Sequence, residues 1–198
     1  MSKRKCLEIA DELQADSKLL VVDLEATCGD RSFPRAERET IEIGAILVDA
    51  QTLTVLGEFQ SLVRPVRHPE LTPYCRDLTG ITQNDVNSAP GFAHAFDEFT
   101  RAMLNQSDHV VFVSWGGYDR RQLVRDCDYH GVTYCLPPHV DLSVEFTKRA
   151  GLTRRASMAL AVSSVGMTLE GQHHRGIDDA RNLVRLLPWC LGREPIPA

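Results

Sequence analysis

The run Leu19-Leu20-Val21-Val22 continues without a break into Asp23-Leu24-Glu25, and no other feature of the chain limits its fold as tightly. Four consecutive aliphatic residues behind Asp16-Ser17 read as a strand buried on both faces. Side chains alternate along a strand, so Asp23 and Glu25 leave it on one side, as two like charges at its C-terminal end. A buried strand that ends on paired carboxylates calls for a cation, and ligand sites of α/β proteins gather where central strands end. No second D-x-E occurs in the chain.

The segments around this strand predict an α/β domain with a mixed sheet. Further strands are expected over Ile41–Val48 and Thr54–Val63, with Asp49–Thr52 turning between them, and over His109–Ser114 and Val140–Leu142. Helical patterns cover Cys6–Leu13, the stripe Phe92, Phe96, Phe99 and Met103, the segment from about Tyr118 to His130, and a last helix from about Ile177. The expected organisation is an N-terminal helical extension over 1–17, one domain over 18–191 and a short tail over 192–198. Hydrophobic residues make up 43% of the chain, enough for one substantial core.

Several function classes drop out on composition. The longest uncharged stretch, Ser157–Leu169, has 13 residues, short of the roughly 20 apolar residues that span a membrane. Glu8, Asp11 and Glu12 interrupt the apolar run that a secretory leader would need, so a cytoplasmic protein is expected. The six cysteines form no C-x-x-C pair and read as reduced thiols, which speaks against a zinc knuckle. With a formal charge of −5 there is no global field to hold nucleic acid, so any polyanion is held locally or through metal ions.

Two more segments carry acids. Asp119 follows Trp115-Gly116-Gly117-Tyr118 in the first turn of a helix, where it serves either the helix dipole or a site. In His173-His174-Arg175-Gly176-Ile177-Asp178-Asp179-Ala180 both His–Asp pairs share one offset, and spacing leaves both open. Helix geometry separates the acids. At about 100° per residue from Ile177, the apolar face centres near 290°, Asp179 near 200° and Asp178 near 100°. Asp179 flanks the buried face, and Asp178 points toward Arg181 and Arg185. Asp23, Glu25, Asp119 and Asp179 are then hard oxygen ligands suited to Mg²⁺ or Mn²⁺ and not to zinc. Four carboxylates imply more than one cation, the repertoire of two-metal phosphoryl chemistry, with His174 as the natural general base for an attacking water.

In this order the motifs resemble those of the DEDDh exonucleases, an RNase H-like superfamily that includes bacterial proofreading subunits and RNase T. They are Val22-Asp23-Leu24-Glu25-Ala26-Thr27-Cys28, Ser114-Trp115-Gly116-Gly117-Tyr118-Asp119, and His174-Arg175-Gly176-Ile177-Asp178-Asp179-Ala180. The ending Glu25-Ala26-Thr27-Cys28 is similar to the subgroup of the three-prime histone mRNA exonuclease, the ERI nucleases and the KapD proteins. So are Glu42-Ile43-Gly44-Ala45, Val63-Arg64-Pro65 and the segment Leu71 to Thr82. The match runs from about Leu19 to Leu187 and leaves only short ends.

The resemblance implies an RNase H-like mixed five-stranded sheet flanked by helices. It also implies release of nucleoside 5′-monophosphates from 3′ ends, RNA being preferred to DNA, while the net charge of −5 and the short ends of the chain point to single-stranded or short overhanging 3′ ends. It implies two Mg²⁺ ions, replaceable by Mn²⁺. Asp23 would bridge both, Glu25 and Asp179 would complete the first, and Asp119 would hold the second directly or through water. The terminal nucleotide would meet the Ala26 backbone, Thr27, Leu78, Thr79 and Ile81, with Trp115 stacking on a base. For the strand beyond it, Lys148, Arg149, Arg154, Arg155 and Arg175 are the local cations. A catalytically silent binding module of the same fold is the competing class, and retention of all five motif residues speaks against it. An RNase H-like endonuclease is disfavoured by His174. No protein partner is legible.

Overall fold

The computed structural model describes Ile9, residues 13–14, 16–105 and 109–197. The expected helix over Cys6–Leu13 otherwise lies outside the described residues, although Ile9 is buried in the core and Leu13 packs against it. Five strands form one sheet: β1 (Lys18–Ala26), β2 (Thr40–Asp49), β3 (Val55–Leu62), β4 (Val110–Ser114) and β5 (His139–Asp141), in the order β3-β2-β1-β4-β5. β1 pairs antiparallel with β2, and β2 with β3. On its other edge β1 runs parallel to β4, and β4 to β5. The sheet is the mixed five-stranded one expected. Strand ends shift by a residue or two, most usefully at β5, which stops at Asp141. There the carboxylate Oδ1 accepts the Ser143 N–H at 3.0 Å and caps the next helix.

Helices cover both faces: α1 (Pro73–Thr79), α2 (Gln83–Ser88), α3 (Phe92–Leu104), α4 (Tyr118–His130), α5 (Leu142–Arg149), α6 (Met158–Ser164) and α7 (Gly176–Cys190). The Phe92/Phe96/Phe99/Met103 stripe of α3 is core, as its spacing predicts, and packs on Leu20, Val22 and Leu24 of β1. The odd row, Leu19 and Val21, packs with Val111, Val113 and the apolar face of α7. Asp23 and Glu25 continue that odd row and so emerge under the N-terminus of α7. α1 and α2 were unexpected as helices, yet both carry start signals. Thr72 caps α1 ahead of Pro73, and Thr82 with Asp85 forms a capping box on α2. The tail is not detached: Ile196 packs on the core, and the Arg193 guanidinium donates to the Ala50 and Gln51 carbonyls.

The seat of α7 decides where the site forms. Gly44 stands opposite Asp23 in the β1–β2 register. A Cβ on Gly44 would lie 2.1 Å from the Gly176 carbonyl carbon, and one on Gly176 would lie 2.8 Å from the Asp23 oxygen. Two glycines therefore let the first turn of α7 rest on bare strand backbone. Two pairs further along, buried Glu42 accepts the Gly176 N–H at 3.1 Å and pairs with the Arg175 Nε at 3.0 Å, while Gln60 donates to its other oxygen at 2.7 Å. An anion at the helix N-terminus satisfies both an orphan N–H and the dipole. Gly44→Ala should therefore force α7 off the sheet and cost about 2–3 kcal/mol, lowering Tm by roughly 5–10 °C. A thermal melt matching the parent would show that the close approach does not position α7.

Candidate active site

β1 and α7 bring together Asp23, Glu25 and Asp179, whose ligand oxygens lie within 4.8 Å of one another. Asp179 sits in the first turn of α7 on its inner side, as the helix geometry predicts, and is 3% exposed. Asp178 turns outward and pairs with Arg181 at 3.0 Å. Asp179 is held from above by the segment before α7. The His173 Nδ1 lies 3.0 Å from its Oδ1, and the His174 main-chain N–H donates to its Oδ2 at 3.0 Å. His174 has φ +65°, a left-handed conformation that a non-glycine residue adopts at a cost of about 1 kcal/mol or more. That twist aims its N–H at Asp179 and stacks its ring on His173 with centroids 4.0 Å apart.

Asp119 arrives from the other side of β1, in the first turn of α4, and its Oδ1 accepts the Leu24 N–H at 3.3 Å. The turn that delivers it is pinned twice. The Gly116 N–H donates to Asp141 Oδ1 at 3.0 Å, and Ser114 Oγ donates to the Gly116 carbonyl at 2.8 Å. Trp115 leaves that turn with its indole N–H on the Ala156 carbonyl at 3.1 Å. All four carboxylates and both histidine rings line one cavity of about 280 Å³.

The charges in this cavity oppose one another. Burial, with the carboxylates of Asp179, Glu42 and Asp119, pushes Glu25 up to about 8. Burial alone raises Asp119 to about 6 against the hydrogen bonds that lower it. Asp23, open only to the cavity, is held well above the ordinary range by burial and then by Asp119 and Glu25. Burial and the neighbouring His173 lower His174, which favours a neutral imidazole. Crowded acids of this kind, with oxygen donors only, match one or more hard divalent cations.

The other expected contacts divide. Ala26, Leu78 and Trp115 line the cavity. Thr27, Thr79 and Ile81 do not: their side chains sit behind its wall. Thr27 Oγ1 accepts the Glu39 N–H at 2.9 Å, Thr79 Oγ1 donates to the Cys75 carbonyl at 2.9 Å, and Ile81 is buried at 1% exposure. Three of the expected strand-binding cations are occupied by protein groups. Arg175 holds Glu42, Arg155 pairs with Asp141 at 2.7 Å, and the Arg149 Nε donates to the Cys190 carbonyl at 2.8 Å. Arg38, Tyr118 and Met158 line the cavity without having been expected there. Tyr118 could have been found beside Asp119, whereas Arg38 lies in an irregular segment with no periodic signal.

Groups whose values are raised on folding stabilise the fold when protonated, and that stabilisation is lost as pH rises through the folded value. For Glu25 the window runs from its unfolded value near 4.5 to about 8, and for Asp119 from 3.8 to about 6. In chelator, Tm should accordingly fall between pH 5 and pH 8, and Asp23→Asn should raise it at pH 8 by ~3–8 °C, about 1–2 kcal/mol. Added Mg²⁺ should restore most of the parent's loss. A pH-independent melt in chelator, unmoved by Asp23→Asn, would remove the electrostatic account.

Comparison with known proteins agrees with this geometry. The exonuclease family of RNase T type matches residues 20–187. The 3′-5′ exonuclease Snipper of Drosophila melanogaster is 32% identical over 195 residues, covering 88% of this chain and 69% of its own length. The 3′-5′ exonuclease eri1 of Schizosaccharomyces pombe is 30% identical over 85% of this chain and 66% of its own, and the human 3′-5′ exoribonuclease 1 is 26% identical over 93% and 56%. Among solved structures, the nuclease domain of 3′hExo, a DEDDh family member bound to rAMP, superposes with a TM-score of 0.81 at 24% identity, covering 92% of this chain and 96% of that one. A 3′-exonuclease recognising a histone mRNA stem-loop gives 0.84 at 24% identity over 92% and 85%. With the family model matching residues 20–187 and the acids and histidines of the motifs gathered in one cavity, this chain belongs to the exonuclease family of RNase T type, with the 3′-5′ exonuclease Snipper among its relatives.

Proposed function

We propose that the protein removes nucleoside 5′-monophosphates one at a time from single-stranded or short overhanging 3′ ends, with RNA preferred to DNA, using two Mg²⁺ ions that Mn²⁺ can replace. The observation that carries this reading is the convergence of Asp23, Glu25 and Asp179 within 4.8 Å, with both histidines on the same Asp179. The carboxylates fit the ions, being hard oxygen donors crowded by their own charge, and a second cluster that could hold an ion, His173 and His174 with Asp179, shares one of them. Asp23 would serve both ions, Glu25 and Asp179 the first, and Asp119 the second, by its Oδ2, since Oδ1 is committed to Leu24. When bound, the ions lower the pKa of the attacking water and offset charge on the phosphate oxygens.

The protein's own residues do the rest. His174, kept neutral by burial, accepts the proton of the attacking water. His173 holds the Asp179 carboxylate through Nδ1 and so positions it. Leu78 and Trp115 supply apolar and stacking surface for the terminal base, and main-chain groups at Ala26 meet its sugar. Thr27, Thr79 and Ile81 support that wall from behind. A ribose 2′-hydroxyl both donates and accepts, so one such contact favours RNA by about 0.5–1.5 kcal/mol, or several-fold. The human relative's description as an exoribonuclease supports the same direction. A cytoplasmic setting belongs to the same proposal, because Cys28, Cys75, Cys127, Cys135 and Cys190 are all free thiols.

Asp23→Asn should lower hydrolysis of a 3′-labelled oligonucleotide by more than about a hundredfold, beyond the usual loss from removing a ligand's supporting partner. A residual rate within tenfold of the parent contradicts the metal assignment. His174→Ala should cut turnover by roughly 10²-fold or more at neutral pH, and His173→Ala by roughly tenfold through a misplaced Asp179. Equal losses would mean that the base is misassigned. Matched RNA and DNA oligonucleotides at one ionic strength should give mononucleotides from both and a higher kcat/KM on RNA. Internal fragments, or a DNA preference of tenfold, would overturn the reading.

A further inference from the structure

The active-site cavity has a neighbour. Residues 28–38 leave the end of β1 as an irregular loop and return at β2, closed at its base by the Thr27 N–H on the Glu39 carbonyl at 2.8 Å and the Glu39 N–H on Thr27 Oγ1 at 2.9 Å. This loop and Tyr74 of α1 enclose a groove of about 590 Å³, and Arg38 lines both the groove and the acidic cavity. Arg31 and Arg35 line the groove as well.

The loop's acids are engaged, Arg31 and Arg35 are not, and Arg38 shares its guanidinium with the Tyr118 hydroxyl. Asp30 accepts the Ser32 N–H at 2.8 Å and its hydroxyl at 2.6 Å, and Glu37 meets the His68 ring at 2.9 Å. Among the described residues, the Arg31 and Arg35 guanidiniums have no hydrogen-bond or ion-pair partner, and the Arg38 Nε is buried without one. In a chain of net charge −5, a groove lined by three arginines against the single carboxylate of Asp30, itself held by Ser32, marks a local site for anions beside a cavity of four carboxylates. Tyr74, 53% exposed, adds a ring face at the same groove.

We propose that the nucleic-acid strand 5′ of the terminal nucleotide leaves the catalytic cavity past Arg38 and runs along this groove, with Arg38, Arg35 and Arg31 on successive phosphates and Tyr74 against a base. The inference rests on the exonuclease reading and names the surface that holds the rest of its substrate. It replaces the cations expected from sequence, of which Arg149, Arg155 and Arg175 are tied to protein groups.

Substrate length tests it. The parent and Arg31→Ala/Arg35→Ala are compared on a 12-nucleotide RNA and on the p-nitrophenyl ester of a nucleoside 5′-monophosphate, which carries one nucleotide only. The ratio of kcat/KM on the RNA to that on the ester should fall at least tenfold in the double variant. The slope of log kcat/KM against log salt on the RNA should become shallower by about 1.4, at ~0.7 per lost single-strand phosphate contact. Arg31→Lys/Arg35→Lys should restore most of the slope. Binding of the same RNA to the Asp23→Asn protein, followed by fluorescence anisotropy, should weaken at least tenfold when both arginines are replaced by alanine. A ratio, slope and affinity equal to the parent's would overturn the groove assignment. A parent that cleaves neither substrate while RNA binding still depends on the two arginines would instead overturn the exonuclease reading and leave the groove standing.

Discussion

The contact on which the molecule depends most is the approach of the α7 N-terminus to the backbone of β1 and β2. It is possible because Gly44 and Gly176 both lack a side chain, and it is held by Glu42. Glu42 is fully buried, which would be costly for an isolated carboxylate, but Arg175, Gln60 and the Gly176 N–H surround it. The acid of the Glu42-x-Gly44 pattern fixes the direction of α7 and the glycine fixes its distance. Asp179 reaches Asp23 and Glu25 only because both conditions are met.

That contact also creates the electrostatic tension of the site. Packing a helix over the carboxylate pair removes water from Asp23 and Glu25 and adds a third acid, which raises their proton affinities. The same arrangement that disfavours three bare carboxylates favours a divalent cation among them. The left-handed twist at His174 belongs to the same arrangement, because the N–H that it directs onto Asp179 offsets part of the strain.

On the opposite side of β1 the logic is mechanical. Asp141 caps α5, anchors Arg155 and receives the Gly116 N–H, so one buried carboxylate ties together the ends of β4 and β5 and the turn leading to Asp119. Asp119 then locks onto the Leu24 main chain between the two β1 acids. The fourth carboxylate is held to the strand carrying the first two by a backbone hydrogen bond, which limits how far the cavity can relax.

Local periodicity alone determined a good part of this protein. Strand alternation put Asp23 and Glu25 on one side of β1, the 100° step of a helix chose Asp179 over Asp178, and the apolar stripe of α3 declared its buried face. These are properties of one segment at a time, set by residues a few positions apart. The tertiary structure decided what depends on distances between remote segments. Thr27, Thr79 and Ile81 match the family's pattern along the chain, yet all three are buried outside the cavity lining, Thr27 and Thr79 with their hydroxyls on backbone groups elsewhere. Arg149, Arg155 and Arg175 look like free cations until the fold places a carbonyl or a carboxylate beside each. His173, equivalent to His174 by spacing, acquires its bond to Asp179 only through the turn that the left-handed residue makes. Arg38 gives no periodic signal at all, and its place between cavity and groove follows from how an irregular loop closes on Thr27 and Glu39, a geometry set by backbone hydrogen bonding and not by hydrophobic pattern.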